Sequence, residues 1–172
     1  MNDMRTKGFT LIEFLLYFGL LAMVMGAVTV FTVDVVRSRN KTRVVAEVEQ
    51  NARFGMSRIL RSVRQADALD VGGSTFDADA GVLSLEMSAP AADPTVFDLS
   101  DGVLRITEGA GPATALTTDD VVVTKLRFSR DSLPGGSRAV TVELGLRYAT
   151  EGVNVDFNYA TSATGTAVIR KQ

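Results

Sequence analysis

The chain has 172 residues, no cysteine, no histidine and a formal net charge of −2 at pH 7. Those absences exclude a disulfide framework, thiolate or imidazole metal sites, and every serine–histidine or cysteine–histidine catalytic arrangement within this chain. Carboxylate or lysine chemistry is left, but no carboxylate pair stands out and no phosphate-binding glycine loop is present. Neither enzymatic activity nor a cofactor is therefore expected.

In chain order, a short basic start, MNDMRTKG, leads into an apolar stretch, and residues 14–33 are twenty consecutive positions without a charge. As a helix rising about 1.5 Å per residue, that run reaches the roughly 30 Å of a bilayer core. A secretory signal peptide is one reading, but residues 22–33 offer no stretch of small residues suited to signal peptidase, and the run exceeds a usual apolar core. A signal anchor is a second. The position of one acid argues for something more specific: Glu13 stands inside Phe9, Thr10, Leu11, Ile12, Glu13, Phe14, Leu15, Leu16. An ionisable group at the edge of hydrocarbon is costly and asks for a partner, for which an anchor has no use. A glutamate snorkelling to headgroups is the plain alternative.

The run KGFTLIEFLL resembles the prepilin motif shared by type IV pilins, type II secretion pseudopilins and competence pseudopilins. The resemblance implies that a membrane prepilin peptidase cuts after Gly8 and methylates the new amino terminus at Phe9. It also implies that Glu13 contacts the amino terminus of a neighbouring subunit during assembly. The chemistry suits these roles. Gly8 lets a protease approach the backbone, Arg5 and Lys7 suit anionic headgroups, and a desolvated carboxylate is compensated beside a cationic amine. Many major pilins carry a helix-kinking proline within the span. Here Val30 stands in that region and no proline precedes Pro90, which points toward a minor pilin or a pseudopilin. Counting positive charges gives the opposite orientation. Arg37, Arg39, Lys41 and Arg43 follow the span and would place the amino terminus outside, whereas the motif requires it inside.

From Arg37 to Arg64 eight basic residues face two acids, a balance of +6, and from Asp67 onward fifteen acids face eight bases, a balance of −7. Val44, Val48, Ala52, Met56, Ile59 or Leu60, Val63 and Ala66 recur at helical spacing, predicting an amphipathic continuation. A continuous helix over 9–66 would be about 87 Å long. Its distal half is expected to pack on a sheet, and its proximal half to meet other subunits. The charge division suggests complementary contact between neighbouring copies, and a merely solvated charged face is the alternative. The segment EQNARFGMSRILRSVRQAD also resembles the corresponding helix of larger minor pilins and J-type pseudopilins, in Asn51–Phe54 and Arg64–Ala66. No aromatic residues interleave with Arg37–Arg43, so nucleic acid is not an expected partner; a membrane surface is the simpler one.

Beyond Asp70, short runs with β character alternate with turns. Strands are predicted at Val82–Met87, Thr95–Leu99, Val103–Thr107, Val121–Arg130, Ala139–Tyr148, Val153–Tyr159 and Gly165–Arg170. Asp101–Gly102 marks a hairpin, and Gly72–Gly73 and Pro134–Gly135–Gly136 mark turns. Residues 160–167, rich in Ala, Thr, Ser and Gly, read as an exposed loop. Asp67, Asp70, Asp77 and Asp79 read as a solvated acidic loop rather than a calcium site, because their spacing does not match the EF-hand pattern. Asp119–Asp120 reads as a turn before the next strand.

The expected fold is α+β: a long N-terminal helix, transmembrane and then amphipathic, packed on a mainly antiparallel sheet. The segments are a leader (1–8), a transmembrane and assembly helix (9–36), a basic extension (37–66) and a β-rich globular domain (67–172). The resemblance implies the prepilin peptidase, other pilin or pseudopilin subunits, an inner-membrane assembly platform and the lipid bilayer as partners. It implies a single-pass precursor in the cytoplasmic membrane, with the C-terminal domain outside, that later enters a pilus or pseudopilus. A type II secretion or competence pseudopilin is the first alternative, and an unprocessed, membrane-anchored extracellular binding protein the second.

Overall fold

A computed structural model describes residues 10–132, 138–149 and 158–169. The chain is α+β, with one long helix, α1 (Leu11–Gln65), followed by antiparallel strands. It divides into two compact units, residues 1–40 and 41–172.

In the first unit α1 opens on Thr10, whose carbonyl accepts the Glu13 and Phe14 N–H groups, both at 3.1 Å. The side chains from Leu11 to Val33 are nearly all exposed, although the sequence there is almost wholly apolar. Two hydroxyls in the apolar run turn back onto the helix: Thr29 Oγ1 donates to the Met25 carbonyl (2.9 Å) and Thr32 Oγ1 to the Val28 carbonyl (2.8 Å). Neither then presents an unmet donor to its surroundings.

In the second unit, the 41–65 part of α1 buries the stripe its periodicity predicts: Val44, Val48, Ala52, Met56, Ile59 and Val63. It packs against two sheets, where one was expected. The first has β1 (Ala68–Thr75), β2 (Val82–Glu86), β3 (Thr95–Ser100), β4 (Val103–Glu108) and β5 (Thr114–Ala115) in chain order. The second has β6 (Val121–Ser132), β7 (Arg138–Tyr148) and β8 (Ala160–Ile169). All strand pairs are antiparallel. Gly55 shows how closely both sheets approach the helix: an added Cβ would lie 2.9 Å from Leu104 Cδ2 on β4 and 3.4 Å from Leu144 Cδ2 on β7. Leu83, Leu85, Phe97, Leu104, Leu126, Phe128, Val140, Val142, Leu144 and Leu146 fill the shared core, all fully buried. Each such side chain contributes about 1.5–3 kcal/mol by leaving water.

The Asp101–Gly102 hairpin is present, with positive φ at both residues (52° and 76°) and Leu99 opposite Leu104. That backbone matches the right-handed strand twist, and glycine adopts it without penalty. In β6 the inward positions change phase, from Val121 and Val123 to Leu126 and Phe128, across a register shift between Val123 and Lys125. One extra residue in the strand keeps both halves facing the core.

Three expectations are corrected. Gly72–Gly73 lies inside β1, where the register breaks between Asp70 and Thr75, and is not a free turn. Residues 160–167 are strand, not loop. Thr161, Ala163, Gly165, Ala167 and Ile169 of β8 face inward, and α1 lies close at Gly165, where a Cβ would meet Leu60 Cδ1 at 2.8 Å and Met56 Sδ at 3.0 Å. The acids Asp67, Asp70, Asp77 and Asp79 do not share one loop, because Asp70 lies in β1. The strand predicted at Val153–Tyr159 and the turn at Pro134–Gly136 fall largely outside the described residues.

Candidate functional site

Glu13 occupies the first turn of α1. Thr10 Oγ1 lies 3.4 Å from the Glu13 N–H. Thr10-Leu11-Ile12-Glu13 thus has capping-box spacing, with the hydroxyl residue at the cap and the acid three positions on. The sequence carries that signal plainly as Thr-x-x-Glu, so a helix start at Thr10 is legible alongside the assembly role that the prepilin resemblance implies for Glu13. A carboxylate there also complements the partial positive charge of the helix N-terminus. Glu13 is half-buried and, among the described residues, has no ion-pair partner. One turn further on, the Phe14 and Phe18 rings stack at 6.3 Å between centroids. Arg5, Lys7, Gly8 and Phe9 lie outside the described residues.

Glu13 and Asp34 bracket the charge-free run 14–33. By length and composition α1 could cross a membrane, and none of its most apolar stretch is buried. A signal segment near an N-terminus meets the same description.

The basic helix spends part of its charge within the chain. Arg58 pairs with Glu108 on β4, and Arg53 with Glu49 one turn back (3.3 Å). Arg61 and Arg64 are exposed and have no ion pair among the described residues. Asn51, buried in the helix, is held from both ends. Its Nδ2 donates to the Glu47 carbonyl (2.9 Å), and its Oδ1 accepts the Thr118 N–H (3.0 Å). Phe54 is 55% exposed and lines a shallow groove with Ala46, Glu49, Gln50, Arg53 and Ser57.

Several acids of the β domain are engaged singly. Asp70 Oδ1 accepts the Gly72 and Gly73 N–H groups, each at 3.0 Å, and Oδ2 accepts the Ser84 hydroxyl at 3.0 Å. Those donors, the Gly73 N–H foremost, hold its carboxyl below the usual aspartate range. Asp67 accepts the Ser88 hydroxyl, and Asp79 pairs with Arg127 at 3.1 Å. Lys125 donates to Glu143 at 2.6 Å and lowers that carboxyl. Arg105 grips Asp98 with two bonds of 2.9 and 2.7 Å, which raises the guanidinium further. Among the described residues no group of three acids is arranged to hold a metal.

No family model, no curated protein and no solved structure matches this chain.

Proposed function

We propose that this chain is a minor pilin or pseudopilin: a structural, non-enzymatic subunit of a type IV pilus-like filament. The precursor sits in the cytoplasmic membrane with its β domain outside. Prepilin peptidase cuts after Gly8, with Arg5 and Lys7 in the discarded leader, and methylates Phe9. Assembly with other subunits on an inner-membrane platform then proceeds through the apolar helix, with Glu13 setting axial register.

The observation that carries this reading is the join between the prepilin-like run ending at Glu13 and one helix of two characters. That helix begins apolar and exposed and continues into a stripe buried against a β domain. A subunit that must be held in a bilayer and then packed by neighbours needs an apolar helix left bare within its own chain. The same reading admits a type II secretion or competence pseudopilin. The unprocessed, anchored binding protein is the rival of a different class.

Intact mass and N-terminal sequencing of the protein from its native membrane separate the two classes. A chain beginning at N-methylated Phe9 is the expected result. A chain retaining Met1–Gly8 would refute processing and leave the anchored binding protein. Glu13→Ala is expected to leave cleavage largely intact while impairing incorporation into filaments, and normal incorporation would remove the assembly role of Glu13.

A further inference from the structure

The four outer strands of the two sheets are unequally protected. β5 is two residues long, and β1 loses register between Asp70 and Thr75. The free side of β6 is covered from within the chain. Asp77 and Gly81 donate to the Phe128 and Leu126 carbonyls, Leu126 donates to the Asp79 carbonyl, and Val123 to the Gly102 carbonyl. β8 is different. It holds unbroken register with β7 over ten residues, from Arg147 opposite Ala160 to Arg138 opposite Ile169. Its sequence ATSATGTAVI contains no charge and no proline, and among the described residues nothing pairs with its outer side. Natural sheets blunt exposed edges with charges, prolines, bulges or short strands, and β8 has none of these.

The phase of the ladder identifies the groups left open. Tyr148 N–H donates to the Tyr159 carbonyl, and Tyr148 and Tyr159 continue the same register as Arg147 and Ala160. Hydrogen-bonded and non-hydrogen-bonded pairs alternate along an antiparallel ladder. Thr161, Ala163, Gly165, Ala167 and Ile169 therefore bond to β7. Ala160, Ser162, Thr164, Thr166 and Val168 direct their N–H and C=O groups outward. The 2.9 Å approach of the Thr141 and Thr166 hydroxyls fits, because side chains stand closer in non-hydrogen-bonded pairs.

We propose that β8 is a docking edge for an extended acidic segment of a partner polypeptide, which adds to the sheet as a fourth strand. Strand addition uses backbone bonds for affinity and flanking side chains for choice of partner. Arg64 supplies that choice. It lines one cleft of about 430 Å³ with Thr166, Ala167 and Val168, and both it and Arg61, one turn earlier, lack an ion pair among the described residues. β8 contains no acid, so pairing with β8 of a second copy would place no carboxylate of that strand beside Arg64. This docking does not require prepilin processing, so either idea can fail without the other.

The test uses the full chain in detergent and a short synthetic peptide of alternating valine and glutamate, with a valine–lysine peptide as control. Amide hydrogen exchange is read residue by residue. The expected result is slower exchange at Ser162, Thr164 and Thr166 with the glutamate peptide only. Thr164→Pro, which deletes one outward donor without touching the β7 ladder, should weaken binding about tenfold. Thr164→Glu serves if the proline variant does not fold, and should also weaken binding. Arg64→Gln should weaken it about threefold. Absence of protection in a folded chain would overturn the docking edge. Equal protection by the lysine peptide would overturn the acidic partner. Protection that appears on concentrating the chain alone would replace that partner with a second copy.

Discussion

Asp70 shows how one acid can be structural without being a ligand. Its carboxylate closes the irregular part of β1 by accepting two backbone N–H groups and the Ser84 hydroxyl. Because these bonds lower its folded pKa, the stability they confer is complete above the unfolded value of about 3.9 and is lost as pH falls through the lowered folded value. Thermal melts of Asp70→Ala against the parent should show a lower Tm at pH 7 and a gap that shrinks toward pH 3. A pH-independent gap would assign the loss to packing instead. At this scale the sequence was only partly legible. The Asp101–Gly102 turn and the alternation of Val140, Val142, Leu144 and Leu146 were readable, because each depends on neighbours in the chain. The bonds of Asp70 to Ser84 and of Asn51 to Thr118 were not, because they join residues that only the fold brings together.

Among the elements, α1 was the most readable and β8 the least, for one physical reason. The helix buries large side chains at a regular period, a pattern that stands out against polar neighbours. β8 meets that same helix closely at Gly165, and its other inward positions before Ile169 are Thr161, Ala163 and Ala167; small residues carry almost no hydrophobic signal. Gly55 is the reciprocal case. It was readable only as a cost of about 1 kcal/mol to the helix, whereas the structure gives its purpose: Leu104 and Leu144 occupy the space a side chain would need. Gly55→Leu should destabilise the β domain by about 1–3 kcal/mol through overpacking. Urea denaturation should show the lower midpoint with unchanged m-value, and an unchanged midpoint would mean that the helix is not held against both sheets.

For the whole molecule, the division into residues 1–40 and 41–172 separates two kinds of stability. The second unit has its own core; the first buries no apolar side chain among its described residues. A fragment of residues 41–172 is therefore expected to be soluble without detergent and to unfold cooperatively, with coincident far- and near-ultraviolet circular dichroism transitions. Aggregation or non-cooperative melting of that fragment would show that the β domain depends on residues before Lys41. The α+β class was legible from the change in period near residue 66. The split into two sheets was not, because the pairing of strands is made by backbone groups that any sequence carries.

Each strand of both sheets lies beside its nearest neighbour in the chain, so each sheet can zip from its own turns before any distant contact forms. Docking of the helix and joining of β6 to Asp77–Gly81 and Gly102 are the steps that bring together residues far apart in sequence, and distant closures slow folding. Folding of the 41–172 fragment should accordingly divide its sensitivities between two rates. Gly102→Ala, strained at φ 76° in the β3–β4 turn, should slow refolding by roughly fivefold to tenfold. Its Cβ, 2.8 Å from Val122 Cγ1 of the other sheet, should speed unfolding to a lesser degree. Gly55→Leu, at the junction formed last, should mainly speed unfolding. The reverse assignment in stopped-flow chevrons would mean that the helix organises the sheets rather than closing over them.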